Sequence, residues 1–343
     1  MAAGERAEIR EQRRSVRLSG WRHRDWLGDI VRCKLTGPLT PGNLASMLPT
    51  SRSPRVLAAV LNWCAEKDSA ACVSSLMADS SAKVDVLIVD NASPDGSGDR
   101  LHASFPQHPF MQTGANLGYA GGNLRAIEWA LERDFEYVLI VNDDAEVMEG
   151  CIGTLLAAME ATPGAGAAAP LILHHGTSIV WFDGGEMSEF KAMGSHTHAG
   201  ETLDVARLSG TQVREVTFLS GCVMLLRVET LRACGGFRAE FFAYVEDLEL
   251  SYRFRQEGWA LLQVPLAVAT HKVPFPSAPD SAFAIHLRDL NRRRLVSLHY
   301  SPAKRLAFMA WFYPTRLIHL ARFIAKGDRA RISAIWSGMV DRV

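Results

Sequence analysis

Four patches of chemically active side chains stand at or near the ends of apolar runs. They are Asp90-Asn91 after 84–89, Asn142-Asp143-Asp144 after 137–141, Glu246-Asp247 behind an aromatic-rich segment, and His271 at the close of 264–271. Strands that end in acids line them along one edge of a sheet, where an open α/β fold binds ligands. Acids near a histidine are the groups that hold a divalent cation against a diphosphate. Adjacent carboxylates at a buried strand end repel each other unless something positive sits there. Mg²⁺ or Mn²⁺ shared with substrate phosphates is the economical partner for Asp143 and Asp144. Glu246 and Asp247 open a helix that continues through Arg253 and Arg255. Acids there are either partners of the helix dipole or a general base whose pKa burial raises. Asp90 either caps the turn Asn-Ala-Ser-Pro-Asp-Gly that follows it or accepts a hydrogen bond from a base or ribose. His271 is a satisfied strand-end residue or a ligand.

The elements that must position these groups are legible as alternation. Runs at 56–61, 84–89 and 137–141 are nearly continuously apolar, as expected of strands buried on both faces. Helical patterns separate them, which predicts βα units around a mostly parallel sheet over 55–275. Before the third run, Asn116-Leu117-Gly118-Tyr119-Ala120-Gly121-Gly122-Asn123 leads into a helix carrying Leu124, Ile127, Ala130 and Leu131 at helical spacing. Glycines let a backbone approach a ligand closely, and a helix start favours an anion, so this loop is a phosphate candidate.

Composition sets the limits. At 343 residues, 48% hydrophobic and 22% charged, the chain can bury one large core or two modest ones. Formal net charge is zero but uneven: residues 1–54 carry ten Lys/Arg against five acids, and 286–343 carry twelve against three. The middle is therefore acidic, which suits a cation-dependent site flanked by basic surfaces. No aromatic-basic interleaving accompanies the charge, so nucleic acid is not an expected partner. The six cysteines show no C-x-x-C pair, which predicts buried, reduced thiols in a cytosolic protein. The Arg/Glu-rich start has no apolar core of a secretory signal, and no run approaches the roughly 18 apolar residues of a membrane span. Pro and Ser punctuate 48–54, which reads as a linker closing a basic N-terminal extension, 1–54.

Taken in order, the motifs resemble the family 2 glycosyltransferases, of glycosyltransferase-A fold, and within them a rhamnosyltransferase-like branch. The resemblance rests on LNW at 61–63, VDNASPDGS at 89–97, NLGYAGGN at 116–123 and VNDDAEV at 141–147. It continues through FDGGEM at 182–187, FLSGCVMLLR at 218–227, GGF at 235–237, FFAYVEDLELSYR at 241–253 and VPLAVATH at 264–271. It implies a catalytic domain over 55–275 using a nucleoside-diphosphate-sugar donor and a Mg²⁺ or Mn²⁺ cofactor. Asn62, Asp90, Asn91, Asp143 and the 116–123 loop (Asn116, Gly118, Gly121, Gly122, Asn123) would lie near the nucleotide. Asp144 matches the last acid of the family's D-x-D-type motif and His271 the histidine completing the metal site. Glu246-Asp247 match the acidic pair that binds and deprotonates the acceptor. Asn142 stands where other branches have the first acid, Cys64 replaces an Asn, and Arg238-Ala239 replace an acidic pair. The implied activity is inverting transfer of a sugar, rhamnose as first guess, to a glycan or lipid-linked acceptor of the bacterial envelope. A nucleotidyltransferase would need a Gly-rich basic loop after the first strand, where Asn62-Trp63-Cys64-Ala65 stands. A catalytically silent sugar-nucleotide-binding protein is the other alternative.

Residues 276–343 read as basic amphipathic helices. Apolar stretches 307–313 and 317–321 are flanked by Arg305, Arg316, Arg322, Lys326, Arg329 and Arg331. Such helices either lie on the inner face of an anionic membrane or form a packed appendage or homodimer contact.

Overall fold

Six strands of one sheet run in the same direction, so their carboxyl ends share an edge. A computed structural model describes residues 54–203, 210–273 and 280–343; the N-terminal extension expected over 1–54 lies, apart from Pro54, outside them. The chain enters through β1 (Val56–Asn62), crosses by α1 (Glu66–Ala78) to β2 (Val84–Asp90), and by α2 (Ser97–Ser104) to the short β3 (Phe110–Gln112). Helix α3 (Gly118–Leu131) returns it to β4 (Tyr137–Asn142), which pairs with the other side of β1. The apolar runs of β1, β2 and β4 are buried almost throughout, because α-helices cover both sheet faces. β3 escapes sequence reading because it is three residues long and only half-buried.

The second half is mixed. A turn after β4 leads to β5 (Ala145–Val147), then α4 (Cys151–Ala161) and β6 (Ala165–His174). After β7 (Val180–Phe182), the hairpin β8 (Gly185–Ser188)–β9 (Met193–His196) and β10 (Arg214–Val216), strand β11 (Val223–Arg227) inserts antiparallel between β4 and β6. Helix α5 (Val228–Cys234), helix α6 (Glu246–Gln256) and strand β12 (Ala260–His271) follow, with β12 parallel to β6. Along the order β10-β12-β6-β11-β4-β1-β2-β3, β10 and β11 are reversed, as are the short β5 and β7 that pair with β12 and β6 off that path. The sheet is therefore mostly parallel, as the sequence predicts.

Three helices close the chain: α7 (Ala282–His299), α8 (Pro302–Ala325) and α9 (Arg329–Val340). Ser281, Ser301 and Asp328 cap them, each accepting a backbone N–H of the first turn. Helix α8 buries only Phe308 and Phe312, and among the described residues no helix is long and apolar enough to cross a membrane.

Candidate active site

The shared edge brings together residues far apart in sequence. β4 ends at Asn142, the Asp143-Asp144 turn follows, and β5 then pairs antiparallel with β12, placing Ala145 opposite His271. The His271 ring N–H (Nε2) thereby donates to Asp144 Oδ1 at 3.0 Å. Burial alone would raise Asp144's pKa, but the hydrogen bond and charge of His271 outweigh it and hold the carboxyl below its usual range. Asp143 behaves oppositely. Burial, then the charges of Asp144 and Asp68, push it up to about 7. The indole of Trp181 meets the His271 ring edge-on, 4.5 Å between centroids, fixing the imidazole from the other side.

These donors fit a hard divalent cation. Asn142 Oδ1 and His271 Nδ1 are buried without a hydrogen-bond partner among the described residues. An orphaned amide oxygen beside a carboxylate suits Mg²⁺ or Mn²⁺, with the imidazole as a softer companion. No three His, Cys, Asp or Glu side chains among the described residues form a metal cage by themselves.

The acid pair reaches the same edge through β11. Because β11 runs backwards, its start lies beside the end of β4, and the Asn142 N–H donates to Cys222 O at 2.8 Å. One residue earlier, the Gly221 N–H donates to Asp247 Oδ2 at 3.1 Å, while the Leu248 N–H donates to Oδ1 at 2.8 Å. Burial raises the Asp247 pKa against these two bonds. Glu246, 6% exposed, has an Oε2 with no hydrogen-bond partner among the described residues, and burial followed by the charge of Asp247 pushes its pKa well up. Burial and the nearby Asp144, Cys72, Asp143 and Asp247 all raise the Cys222 thiol, which marks how closely the acids gather.

The segment presenting this pair is strained. Phe242, Tyr244 and Val245 have φ of 59°, 68° and 72°, a region that β-branched valine almost never occupies. Two contacts hold it. Phe242 O accepts the Ala120 N–H at 2.9 Å. Asn291 of α7, fully buried, donates from its amide to Phe241 O, Ala243 O and Tyr244 O at 2.7, 2.9 and 2.8 Å.

The residues expected at the nucleotide form a closed network. Asp90 Oδ1 accepts from Asn62 Nδ2 and Ser93 Oγ, both at 2.6 Å; Oδ2 accepts from the Ser93 N–H and Gln112 Nε2 at 3.1 and 2.8 Å. Of the two sequence readings, this geometry is that of the turn cap. Asn62 Oδ1 takes the Ser69 hydroxyl, and Asn91 grips Asn116 Oδ1, Gly118 O and the Leu117 N–H. The glycines of this loop are packed against protein. A Cβ on Gly118 (φ +69°) would lie 2.5 Å from Phe242 O, and one on Gly122 would strike the Leu61 side chain. Their missing side chains make room for protein neighbours; buried Asn123 donates its amide to Tyr119 O, while its Oδ1 has no hydrogen-bond partner among the described residues. Asn116 remains exposed on that loop.

A sequence profile described as "Glycosyl transferase family 2" matches residues 60–233. The chain belongs to glycosyltransferase family 2. The chain is 30% identical over 227 residues to the N-acetylglucosaminyl-diphospho-decaprenol L-rhamnosyltransferase of Mycobacterium tuberculosis, covering 61% of this chain and 73% of the relative. It is 24% identical over 237 residues to the low-salt glycan biosynthesis hexosyltransferase Agl10 of Haloferax volcanii, covering 68% and 72%. Among solved structures it resembles GalNAc-T7 with UDP, GalNAc and Mn²⁺ (TM-score 0.55, 14% identity), spanning 78% of this chain but only 51% of that one. It also resembles the mannosyltransferase PcManGT of Pyrobaculum calidifontis in complex with GDP-Man and Mn²⁺ (TM-score 0.51, 16% identity), spanning 87% and 85%. These likenesses show the glycosyltransferase-A fold, and family membership sets aside the nucleotidyltransferase alternative.

Within this glycosyltransferase, sequence reading missed Trp181 and Asn291. Trp181 lies in an unpatterned stretch between β6 and β8. Asn291 did leave a signal: it is an amide on the face of α7 where Leu287 and Leu295 are also buried.

Proposed function

We propose that this enzyme is an inverting, metal-dependent family 2 glycosyltransferase that moves a hexose, rhamnose first, from a nucleoside-diphosphate donor. Its acceptor is a glycan or, preferably, a sugar on a lipid diphosphate, in envelope polysaccharide synthesis. The observation that carries this reading is the meeting of the Asp144–His271 pair and the Glu246-Asp247 pair around Cys222 at one sheet edge. The rhamnosyltransferase relative, named for a diphospho-decaprenol acceptor, supports the choice of substrates.

A Mg²⁺ or Mn²⁺ held by Asp144 and His271, with Asn142 within reach, would neutralise charge on the departing diphosphate. Both solved neighbours carry Mn²⁺, which supports that assignment. Asp247 takes the proton of the acceptor hydroxyl as its oxygen attacks the anomeric carbon from the face opposite the nucleotide. Gly221 and Leu248 fix its carboxylate through their N–H groups, so no reorientation is needed as the proton moves. Burial of the pair keeps bulk water from competing as acceptor. Residues 55–275 form the catalytic domain in this reading. The exposed apolar residues of 300–343 hold the enzyme at the cytoplasmic face of a membrane, and a homodimer through the same face is the competing use.

A donor-hydrolysis assay with dTDP-rhamnose, UDP-sugars and GDP-sugars in Mn²⁺ tests the reading. Turnover of at least one donor is expected, and none would favour a silent sugar-nucleotide-binding protein. Asp144→Ala should weaken Mn²⁺-dependent nucleotide binding about 10–100-fold. Unchanged affinity would remove Asp144 from the metal site.

A further inference from the structure

A cavity of about 1000 Å³ opens directly from the acid pair and runs between the sheet domain and the three C-terminal helices. Its two walls differ in chemistry. The sheet side presents Trp181, Met193, His196 and Phe218 around Glu246 and Asp247. The helical side is cationic.

Much of that helical charge is locally paired. Arg288 makes a two-pronged contact with Asp280 at 2.7 and 2.9 Å, and Arg331 pairs with Asp328. The remainder is in excess. Arg316 and Arg292 share one carboxylate, Asp289, with Oδ1 at 3.0 and 3.6 Å respectively. Lys326 makes no ion pair among the described residues. The helical wall alone thus carries five cations against three carboxylates, an excess of two, which Glu246 and Asp247 face from the sheet side. Arg316 Nε, moreover, is buried with no hydrogen-bond partner among the described residues. Burying a guanidinium while leaving a donor unused is costly, and an anionic ligand removes that cost.

Helix α8 supplies the geometry. Arg316, His319, Phe323 and Lys326, spaced three and four apart, form one stripe and line the cavity. About 120° further round the helix axis, at ~100° per residue, Leu306, Leu317 and Ile324 form a second stripe and are 66%, 52% and 59% exposed. A ligand with an anionic segment and a long apolar tail matches that juxtaposition: anion against the first stripe, tail leaving beside the second. We propose that this wall is the subsite for the diphosphate of a prenyl-diphosphate acceptor, with Arg316 and Lys326 binding its phosphoryl oxygens. This assignment rests on the lipid-diphosphate reading of the acceptor given above. Two excess positive charges match the two negative charges of a diphosphate esterified at both ends. Asp247 lines the same cavity, so a sugar carried on that diphosphate would share it with the acid pair.

The experiment is calorimetric binding of farnesyl diphosphate to the full chain in EDTA, with farnesol and inorganic pyrophosphate as separate arms. The wild type should bind farnesyl diphosphate more tightly than either control. Lys326→Gln, at an exposed position that folding does not need, and Arg316→Gln should each weaken it about tenfold, and the pair more. Farnesol binding should not move. Failure of the wild type to bind farnesyl diphosphate would overturn the subsite, as would undiminished binding by the double variant. Pyrophosphate binding as tightly as farnesyl diphosphate would overturn its lipid character. Nucleotide binding with Mn²⁺ should be unchanged in both variants. Absence of such binding in the wild type would strike the donor reading instead, so the two failures are read from different ligands.

Discussion

Asp90 and Glu246 are both buried carboxyls at the active edge, at 1% and 6% exposure, yet the protein treats them in opposite ways. Asp90 receives four hydrogen bonds from three side chains and one backbone N–H, and its loop has ordinary turn chemistry. Glu246 has an unused oxygen, a like-charged neighbour, and a preceding loop in which three non-glycine residues take left-handed backbone angles. The first region is built for stability. The second spends stability to hold acids in a dry place, which is where a base gains proton affinity. Backbone strain of the kind seen before α6 persists only where surrounding structure over-determines it, and such strain clusters at functional sites.

The largest test separates chemistry from scaffold on the reactive side. Asp247→Asn should lower kcat by about 10²–10⁴-fold while leaving nucleotide affinity and thermal stability near wild type. Near-normal turnover would move the base to Glu246. On the supporting side, Asp90→Ala should do the reverse. It strands the Asn62, Ser93 and Gln112 donors and should cost about 3 kcal/mol of stability, measured by urea unfolding. A small loss would mean that the network is not what holds the β1 and β2 ends.

The contrast also explains what the sequence disclosed. Strands β1, β2 and β4 were legible because a both-faces-buried strand must be continuously apolar, and the acids behind them because a polar residue ending such a run needs a reason. The fold sets Asp144 beside His271, the neighbours that the resemblance implies. What sequence hid were partners made by topology. Nothing local says that β11 runs backwards, yet that reversal brings Gly221 to Asp247. Nothing in a basic helix says that Asn291 reaches 50 residues back to Phe241. The glycines at 118 and 122 signalled close approach correctly, but not whether protein or ligand would be the neighbour.

Asn291 supports the loop before Glu246 and Asp247 by the same means that hold Asp90, a buried side chain hydrogen-bonded to its neighbours. Asn291→Ala removes the donor shared by three loop carbonyls, so the strained 241–245 segment should relax. We expect a stability loss of about 1–3 kcal/mol and a kcat loss of roughly ten- to a hundredfold, with donor KM nearly constant. A parallel rise in donor KM would show that the loop positions the nucleotide as much as the acid pair.

The smallest effect is the most pointed. A carboxyl whose pKa is raised by folding prefers to be protonated in the native state, so its contribution to stability is fully present below its unfolded pKa and lost as pH rises through the raised value. Glu246→Gln keeps the shape of the protonated form and abolishes that loss. The variant should therefore melt about 2 °C above wild type near pH ~8, and the difference should close as pH falls to about 5. Transfer by the wild type should run the other way, falling as pH drops through the raised values of the pair, because the base must be ionised to accept a proton. Stability and activity would then cross in opposite directions over the same interval, as expected if burial of the pair is kept for the reaction and not for the fold. A Glu246→Gln enzyme that melts below wild type at pH ~8 would mean that Glu246 is ionised and supported in the native state, and the distinction between the two carboxyls would disappear.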